Sequence, residues 1–162
     1  MFHVFNVEFD GIDKCGKDTL KQTMFKVFPN TCAYKARGIL SQIAYSQLYG
    51  RNWQYCMTEG YVQNSLFVKL DVDEDDWLRR IADSNEIENN KQRSDVDFIA
   101  DYKKHQSAFD LAWQYLQDLD VAKNYQDHFL CCNTTQLTAF EIANIVKQRL
   151  IDLNCLGDDF AI

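Results

Sequence analysis

The most constraining feature of this sequence is a glycine-bounded loop that joins a strand-like segment to a helix-like segment. Residues 4–9 read Val-Phe-Asn-Val-Glu-Phe, a composition that favours a β-strand, and Gly11 ends the run. Apolar residues then recur at helical spacing over residues 17–28. Between the two segments, residues 11–19 read Gly-Ile-Asp-Lys-Cys-Gly-Lys-Asp-Thr. The pattern therefore predicts a strand that turns tightly into a helix.

The loop has the composition of a phosphate-binding site. Gly11 and Gly16 let the backbone approach an anion closely, and the following helix directs its first N–H groups at that anion. Lys17, which we expect to lie exposed in the loop, would add a positive charge for the β- and γ-phosphates of ATP. The pattern Gly-x-x-x-x-Gly-Lys-[Ser/Thr] is met except at its last position, where Asp18 stands. The alternative is a glycine-rich turn with an incidental lysine.

Asp18 and Thr19 are the candidate metal ligands of the loop. A serine or threonine at the position of Asp18 would ligate Mg²⁺, and an aspartate also offers oxygen to a hard cation. Thr19 is next to it and carries a hydroxyl group. The sequence therefore predicts that Mg²⁺ binds here together with ATP.

Strand-like and helix-like segments alternate along the rest of the chain. Strands are expected at residues 31–34, 65–72 and 129–132, and helices at residues 39–48, 73–81, 98–116 and 142–153. Residues 83–94 are polar and aperiodic, which predicts a lid-like loop. The alternation predicts one domain over residues 1–162, a three-layer α/β/α fold with a mostly parallel sheet covered by helices on both faces. Ligands of such sheets bind beyond the carboxyl ends of the strands.

Composition excludes several classes of partner. The net charge of −7 is opposite to the basic footprint that a protein needs to follow long nucleic acid. No apolar stretch is long enough to span a membrane, and the N-terminus does not have the pattern of a signal peptide. The six cysteines include no Cys-x-x-Cys pair, which favours reduced thiols. We therefore expect a cytoplasmic protein with a small anionic ligand.

Several segments resemble the thymidylate kinases, in the order of that family. Residues 7–19 resemble its opening, Phe-Glu-Gly-Ile-Asp followed by a variable pair and Gly-Lys, and the Gly-Lys-Asp-Thr ending also occurs in some phage deoxynucleoside monophosphate kinases. Residues 37–45 resemble its Asp-Arg-x-x-x-Ser-x-x-Ala-Tyr segment, and residues 70–73 its Leu-Asp-Val-x strand end. Residues 129–150 resemble its final strand, adenine-side loop and helix. The resemblance implies a P-loop kinase-like fold and a compact phage member that works in the host cytoplasm.

The resemblance also implies which residues bind the phosphate donor. The loop would hold ATP with Gly11, Ile12, Asp13, Lys14, Cys15, Gly16, Lys17, Asp18 and Thr19. Asp13 would in addition hold the 3′-hydroxyl of the nucleotide substrate. Lys14 stands where some family members carry a basic residue that stabilises the transferring phosphoryl group.

The remaining implied roles concern the acceptor and the lid. Arg37 would contact the acceptor phosphate and assist catalysis, and Ser41 and Tyr45 would lie near the base or sugar. Arginines of the lid would close over the phosphates, and the candidates are Arg79, Arg80 and Arg93. Aromatic residues on the second and the long helix could form a homodimer, as in the family.

Two departures from the family keep three functions open. Ala36 stands where the family has an aspartate, and the stretch between the first helix and Arg37 is shorter than in typical members. The first hypothesis is a deoxynucleoside monophosphate kinase, with dTMP as the favoured acceptor. The second is a deoxynucleoside kinase, in which Glu8 or Asp10 would accept the proton of the acceptor hydroxyl. The third is a nucleotide-binding regulatory protein that has lost turnover.

Overall fold

A computed structural model describes residues 4–29, 32–52, 57–84 and 95–155. The strands are β1 (Asn6–Asp10), β2 (Ala33–Ala36), β3 (Ser65–Asp71) and β4 (Phe129–Asn133). The α-helices are α1 (Lys17–Val27), α2 (Ile39–Leu48), α3 (Glu59–Gln63), α4 (Glu74–Asp83), α5 (Asp95–Asp118) and α6 (Ala139–Asp152). In these ranges no helix is both long and apolar enough to cross a bilayer.

The four strands form one parallel sheet in the order β2-β1-β3-β4. Helix α1 packs on β1 and β2 and against α6, while α5 packs against α2 and α4. Right-handed crossovers that leave β1 and β3 in opposite directions place these two groups of helices on opposite faces of the sheet. The predicted three-layer α/β/α fold, with a P-loop kinase-like arrangement and a parallel sheet, is confirmed.

The strand order creates a ligand crevice between β1 and β3. The chain leaves β1 towards β2 at one edge of the sheet and leaves β3 towards β4 at the other. Parallel sheets with this change of direction bind ligands beyond the carboxyl ends of the two strands at which it occurs. The glycine-bounded loop follows β1 and therefore opens into this crevice.

The two faces of β1 differ, and the difference determines which elements can pack against each face. Val7 and Phe9 are fully buried, and the Phe9 ring stacks on Tyr34 of β2. Burying a side chain such as Phe9 stabilises the fold by about 2 to 3 kcal/mol. Glu8 and Asp10 point to the other face and are also buried, so their carboxylates need partners on the elements that cover that face.

β2 lies further along the chain than the sequence indicates. The expected strand at residues 31–34 is wrong in its bounds, since the observed strand pairs from Ala33 to Ala36 with β1. The backbone N–H of Arg37 extends the pairing by donating to the carbonyl oxygen of Phe9 at 3.0 Å. The strand has only four residues, and Lys35 faces away from the core. Buried and polar residues therefore alternate over too few positions to define where the strand begins and ends. Thr31 lies outside the described residues.

Helix α3 was not predicted. Its five residues are too few for a 3.6-residue period to be recognised. The helix begins where the side chain of Thr58 accepts a hydrogen bond from the backbone N–H of Tyr61 at 3.2 Å. It places Tyr61 beside β1, where the Tyr61 hydroxyl group donates to Glu8.

The expected lid-like stretch at residues 83–94 falls almost wholly outside the described residues. Helix α4 ends at Asp83, and Ser84 is the last described residue before α5 begins at Asp95. Arg93, one of the three predicted lid arginines, therefore lies outside the described part of the chain.

Gly11 follows β1 directly and lies against the backbone of Leu70 in β3, and this contact generates a prediction. A Cβ atom at Gly11 would lie 2.4 Å from the carbonyl oxygen of Leu70, and the φ of +155° is rarely adopted by other residues. Gly11→Ala should therefore lower the free energy of unfolding by at least about 2 kcal/mol, as measured by urea denaturation.

Gly60 on α3 provides the matched control. A Cβ atom there meets nothing within 4 Å, so Gly60→Ala should be neutral or slightly stabilising. A Gly11→Ala protein as stable as the unsubstituted protein would show that the two strands do not approach as described.

Candidate functional site

The glycine-bounded loop is shaped by a turn and by a left-handed helix cap. The backbone N–H of Cys15 donates to the carbonyl oxygen of Ile12 at 3.3 Å, and Lys14 takes a positive φ of 63° inside this turn. Gly16 caps α1 with a φ of 102°. The first N–H groups of α1 have no partner within their helix, so the loop ends at a group of backbone donors that favours an anion.

Lys17 is the first residue of α1, and its side chain is folded back across the loop. The Nζ atom donates to the carbonyl oxygens of Gly11 and Ile12, both at 2.8 Å. The expectation of an exposed Lys17 is wrong, because the helix begins at this residue and only 5% of it is exposed. Its partners are carbonyl oxygens and the Cys15 thiol rather than a carboxylate, so a buried positive charge remains available to a phosphate.

A cavity of about 550 Å³ opens beside Lys17, a size that suits a nucleotide. One wall consists of the loop and the first turn of α1, including Asp18 and Thr19. The segment that follows β4 also contributes to the lining, with Leu137, Thr138, Ala139 and Ile142. Arg37 and Arg80 also line this cavity, which we call the loop cavity.

Helix α4 braces the loop from the side of the crevice. The indole Nε1 of Trp77 donates to the carbonyl oxygen of Asp13 at 2.8 Å. Arg80 donates to the carbonyl oxygens of Lys14 and Thr134, both at 3.0 Å. The loop is therefore held in place from outside as well as by its own turn, and Arg80 connects it to the segment after β4.

The two described lid candidates differ in their surroundings. Arg80 lines the loop cavity and is anchored by the carboxylate of Asp76 at 2.7 Å. Arg79 is largely exposed, pairs with Asp76 and is absent from the described lining of the loop cavity. Burial disfavours the ionised Asp76, but hydrogen bonds from Arg79, Thr135 and Arg80 hold the pKa of Asp76 below its ordinary value. Asp76 thus fixes both arginines on α4.

A second cavity of about 290 Å³ runs along α2, and we call it the α2 cavity. Its described lining is Arg37, Gly38, Ser41, Gln42, Tyr45, Ser46 and Arg51. The structure therefore brings together Arg37, Ser41 and Tyr45, the three residues predicted to bind the acceptor. Burial raises the pKa of Tyr45 to about 12, so its hydroxyl group stays neutral.

Arg37 lies between the two cavities and lines both of them. Its backbone has a φ of 71°, a conformation that costs energy and that is concentrated at functional sites. Its guanidinium group is 3.6 Å from the carboxylate of Asp13. Both side chains of this ion pair are mostly exposed, so the pair is weak and leaves Arg37 able to reorient towards a ligand.

The two buried carboxylates of β1 hold the beginning of α2. The Oδ1 atom of Asp10 accepts from the N–H of Gly38 at 2.7 Å, and from the N–H and hydroxyl of Ser41 at 3.2 and 2.5 Å. Glu8 accepts from the N–H of Ile39 at 3.1 Å. Together they replace the side-chain cap that Gly38 cannot provide. Neither carboxylate is in the described lining of the two cavities.

The sequence did not indicate four lining residues of the α2 cavity, namely Gly38, Gln42, Ser46 and Arg51. Arg51 is the charged residue among them. It follows α2 and lines the α2 cavity, and the only local signal was Gly50, a residue typical of helix ends. The bracing of the loop by Trp77 was also missed, since nothing in the sequence connects two residues that are 64 positions apart.

The fold is a three-layer α/β/α arrangement with a parallel sheet, and the glycine-bounded loop follows strand β1 at its carboxyl end. Similar in fold is the YorR protein from Bacillus subtilis, whose crystal structure is a complex with phosphorylated GDP. The TM-score is 0.58 at 14% sequence identity, and the match covers 92% of this chain and 96% of YorR. Neither the family models nor the curated proteins that were compared match this sequence.

The site geometry predicts a pH-dependent contribution of Asp10 to stability. Burial raises the pKa of Asp10 to about 6, helped by the charge of Glu8 and opposed by the hydrogen bonds from Ser41 and Gly38. Because the folded protein binds this proton more tightly than the unfolded chain, ionising Asp10 costs stability as pH rises from about 4 through about 6. Complete ionisation of Asp10 lowers the free energy of unfolding by about 3 kcal/mol.

Asp10→Asn cannot ionise but keeps an oxygen that accepts the same hydrogen bonds. The free energy of unfolding of this variant, relative to that of the unsubstituted protein, should therefore rise by about 2 kcal/mol between pH 4 and pH 7. Urea denaturation across this range measures it. Asp152→Asn, at an exposed position on α6, is the control. A pH-independent difference for Asp10→Asn would contradict the prediction.

Proposed function

We propose that this protein is a nucleotide kinase that transfers the γ-phosphoryl group of ATP to a deoxynucleoside monophosphate, with dTMP as the favoured acceptor. The observation that carries the proposal is the position of Arg37, which lines both cavities. A donor in one cavity and an acceptor in the other would meet beside its guanidinium group. A kinase needs this arrangement of two ligands at one cationic group, whereas a protein that only binds a nucleotide does not.

The loop cavity is the proposed donor site. The β- and γ-phosphates of ATP would bind at the start of α1, where Lys17 carries its buried charge. The nucleobase would lie against Leu137, Ala139 and Ile142, which are apolar residues of the lining. The fold shared with YorR, which was crystallised with phosphorylated GDP, supports a phosphorylated nucleotide as the ligand of this crevice.

The α2 cavity is the proposed acceptor site, and its charge favours a monophosphate over a nucleoside. Two arginines and no carboxylate are found in its described lining. A nucleoside acceptor would need a base for its hydroxyl proton, but Glu8 and Asp10 are committed to α2. A monophosphate already carries negative charge and needs no strong base. The choice of dTMP rests on the resemblance to the thymidylate kinases.

Mg²⁺ is the metal that the proposal implies, and the residues present fit it. No group of three or more acidic, histidine or cysteine side chains in the described ranges could form an all-protein cage. Nucleotide-bound Mg²⁺ instead uses one or two protein oxygens together with phosphates and waters. Asp18 and Thr19 line the loop cavity next to Lys17 and would supply these oxygens. When bound, Mg²⁺ would neutralise charge on the β- and γ-phosphates.

The residues of the chain would act by positioning and by electrostatic stabilisation. Phosphoryl transfer passes through a loose transition state whose charge is spread over the equatorial oxygens. Lys17 would hold the donor phosphates, and Lys14 would stabilise the group in transfer. Arg37 would neutralise the acceptor phosphate so that two anions can approach each other. Asp13, which lines the loop cavity next to Arg37, would reach the acceptor sugar from the donor side.

A second candidate is a nucleotide-binding regulatory protein without turnover. The observation in its favour is Ala36, which ends β2 directly before Arg37 and provides no carboxylate at a position where the thymidylate kinases have one. Such a protein would keep the loop cavity and bind ATP, but no acceptor would be phosphorylated.

Release of ADP distinguishes these functions when it is measured with a panel of acceptors. The panel comprises the four deoxynucleosides and their monophosphates, each offered with ATP and Mg²⁺. We expect stimulation by at least one monophosphate, dTMP above all, and none by the nucleosides. ATP binding without stimulation of ADP release by any acceptor would contradict the kinase proposal and favour the regulatory one.

Lys17→Ala tests the donor site. Removing the buried ammonium should weaken ATP binding by about 100-fold or more, because a charged donor to the phosphates is lost. Isothermal titration calorimetry measures the affinity, and thermal unfolding measures the stability that the buried side chain contributes. Lys26→Ala, an exposed lysine in the last turn of the same helix, should leave ATP affinity unchanged. Equal affinities in both variants would refute the donor-site assignment.

A further inference from the structure

We propose that Arg51 selects the base of the acceptor by its group at position 4 of a pyrimidine or position 6 of a purine. It favours thymine and guanine, which present a carbonyl oxygen there, over cytosine and adenine, which present an amino group. The inference rests on the proposed function of the α2 cavity as the acceptor site. It concerns the end of that cavity that lies away from the loop, where neither the sequence nor the fold comparison assigns a residue.

The end of α2 explains how Arg51 reaches the cavity. Gly50 takes a left-handed φ of 62°, and its N–H donates to the carbonyl oxygen of Gln47 at 3.3 Å. The N–H of Arg51 donates to the carbonyl oxygen of Ser46 at 2.8 Å. These two hydrogen bonds form a Schellman motif, which reverses the chain at the end of a helix. The reversal directs Arg51 back alongside α2, next to Ser46.

Aromatic stacking supports the guanidinium group of Arg51. The group lies over the ring of Tyr49, 5.4 Å from its centre, a distance typical of a cation–π contact. The Tyr49 ring stacks in turn on Tyr45 with ring centres 6.1 Å apart, and Tyr45 packs edge-on against Phe109 of α5. Arg51 therefore has a defined orientation even though it is exposed to solvent.

Arg37 and Arg51 line the α2 cavity from opposite ends of α2, so one bound monophosphate can meet Arg37 with its phosphate and Arg51 with its base. The ten residues of the helix correspond to about 15 Å at 1.5 Å per residue. Arg37 adjoins the loop cavity, so the phosphate that accepts the γ-phosphoryl group must lie at its end. The base of a bound monophosphate then extends along α2 towards Arg51.

The chemistry of arginine decides which bases suit this end of the cavity. A guanidinium group carries five N–H donors and no acceptor. It can pair with O4 of thymine or with O6 and N7 of guanine, whereas cytosine and adenine carry at the equivalent position an amino group, which is itself a donor. Gln42 and Ser46, which also line the cavity, both donate and accept and therefore do not impose this choice.

Binding measurements test the inference independently of turnover. The affinities of dTMP, dGMP, dCMP and dAMP are measured by isothermal titration calorimetry with the unsubstituted protein, Arg51→Gln and Arg51→Lys. The unsubstituted protein should bind dTMP and dGMP about 10- to 100-fold more tightly than dCMP and dAMP. Arg51→Gln should reduce this preference to about threefold or less, and Arg51→Lys should retain part of it. Lys123→Gln, with the same charge change at an exposed position remote from α2, should retain all of it.

Three results would overturn the inference. These are an unchanged preference in Arg51→Gln, a preference of the unsubstituted protein for dCMP or dAMP, and the absence of binding by any of the four monophosphates. Failure of the proposed function would give a different result. The unsubstituted protein would still prefer dTMP and dGMP, and Arg51→Gln would still lose this preference, but no acceptor would stimulate ADP release. The exposed position of Arg51 and the use of only its backbone in the Schellman motif keep the fold intact in both variants.

Discussion

The hydrogen bonds between Asp10 and the first turn of α2 fix the geometry on which the two cavities depend. Asp10 ends the strand that leads into the loop, and it accepts three hydrogen bonds from Gly38 and Ser41. Arg37 precedes these residues directly, so its position relative to the loop is set by the same contact. The contact uses a carboxylate whose burial opposes ionisation. The free energy of unfolding at neutral pH is therefore lower than it would be with an uncharged side chain at this position. The same carboxylate holds the beginning of α2 in place.

The two halves of the proposed site, one for the phosphate donor and one for the acceptor, have different structural origins. The donor half is local in sequence, because one strand, one loop and one helix supply the backbone donors and Lys17, and α4 braces them from outside. The acceptor half is assembled along α2, with Arg37 before the helix and Arg51 after it. The stretch that precedes Arg37 is shorter than in the thymidylate kinases. A single helix with a cation at each end is a compact way to contact both the phosphate and the base of one acceptor.

Much of the fold could be predicted because its elements carry strong local patterns. The loop, the buried strand β3 and the long helix α5 follow from glycine placement and from apolar runs of sufficient length. The bounds of β2, the existence of α3 and the burial of Lys17 could not be predicted, because each depends on partners that are distant or on too few residues. Arg51 was missed for the same reason, since its contact with the site depends on a chain reversal at Gly50. The residues of the loop cavity that we propose for the donor were thus accessible from sequence, and part of the lining of the α2 cavity was not.

The most direct test of the account is a crystal structure with a bisubstrate analogue in which five phosphates link adenosine to thymidine. The account predicts that the adenosine lies in the loop cavity, that the thymidine lies in the α2 cavity, and that the guanidinium group of Arg37 contacts the connecting phosphates. Lys17 should then have left the carbonyl oxygens of Gly11 and Ile12 for a phosphate oxygen. An analogue that occupies only one cavity, or phosphates that bypass both Lys17 and Arg37, would contradict it.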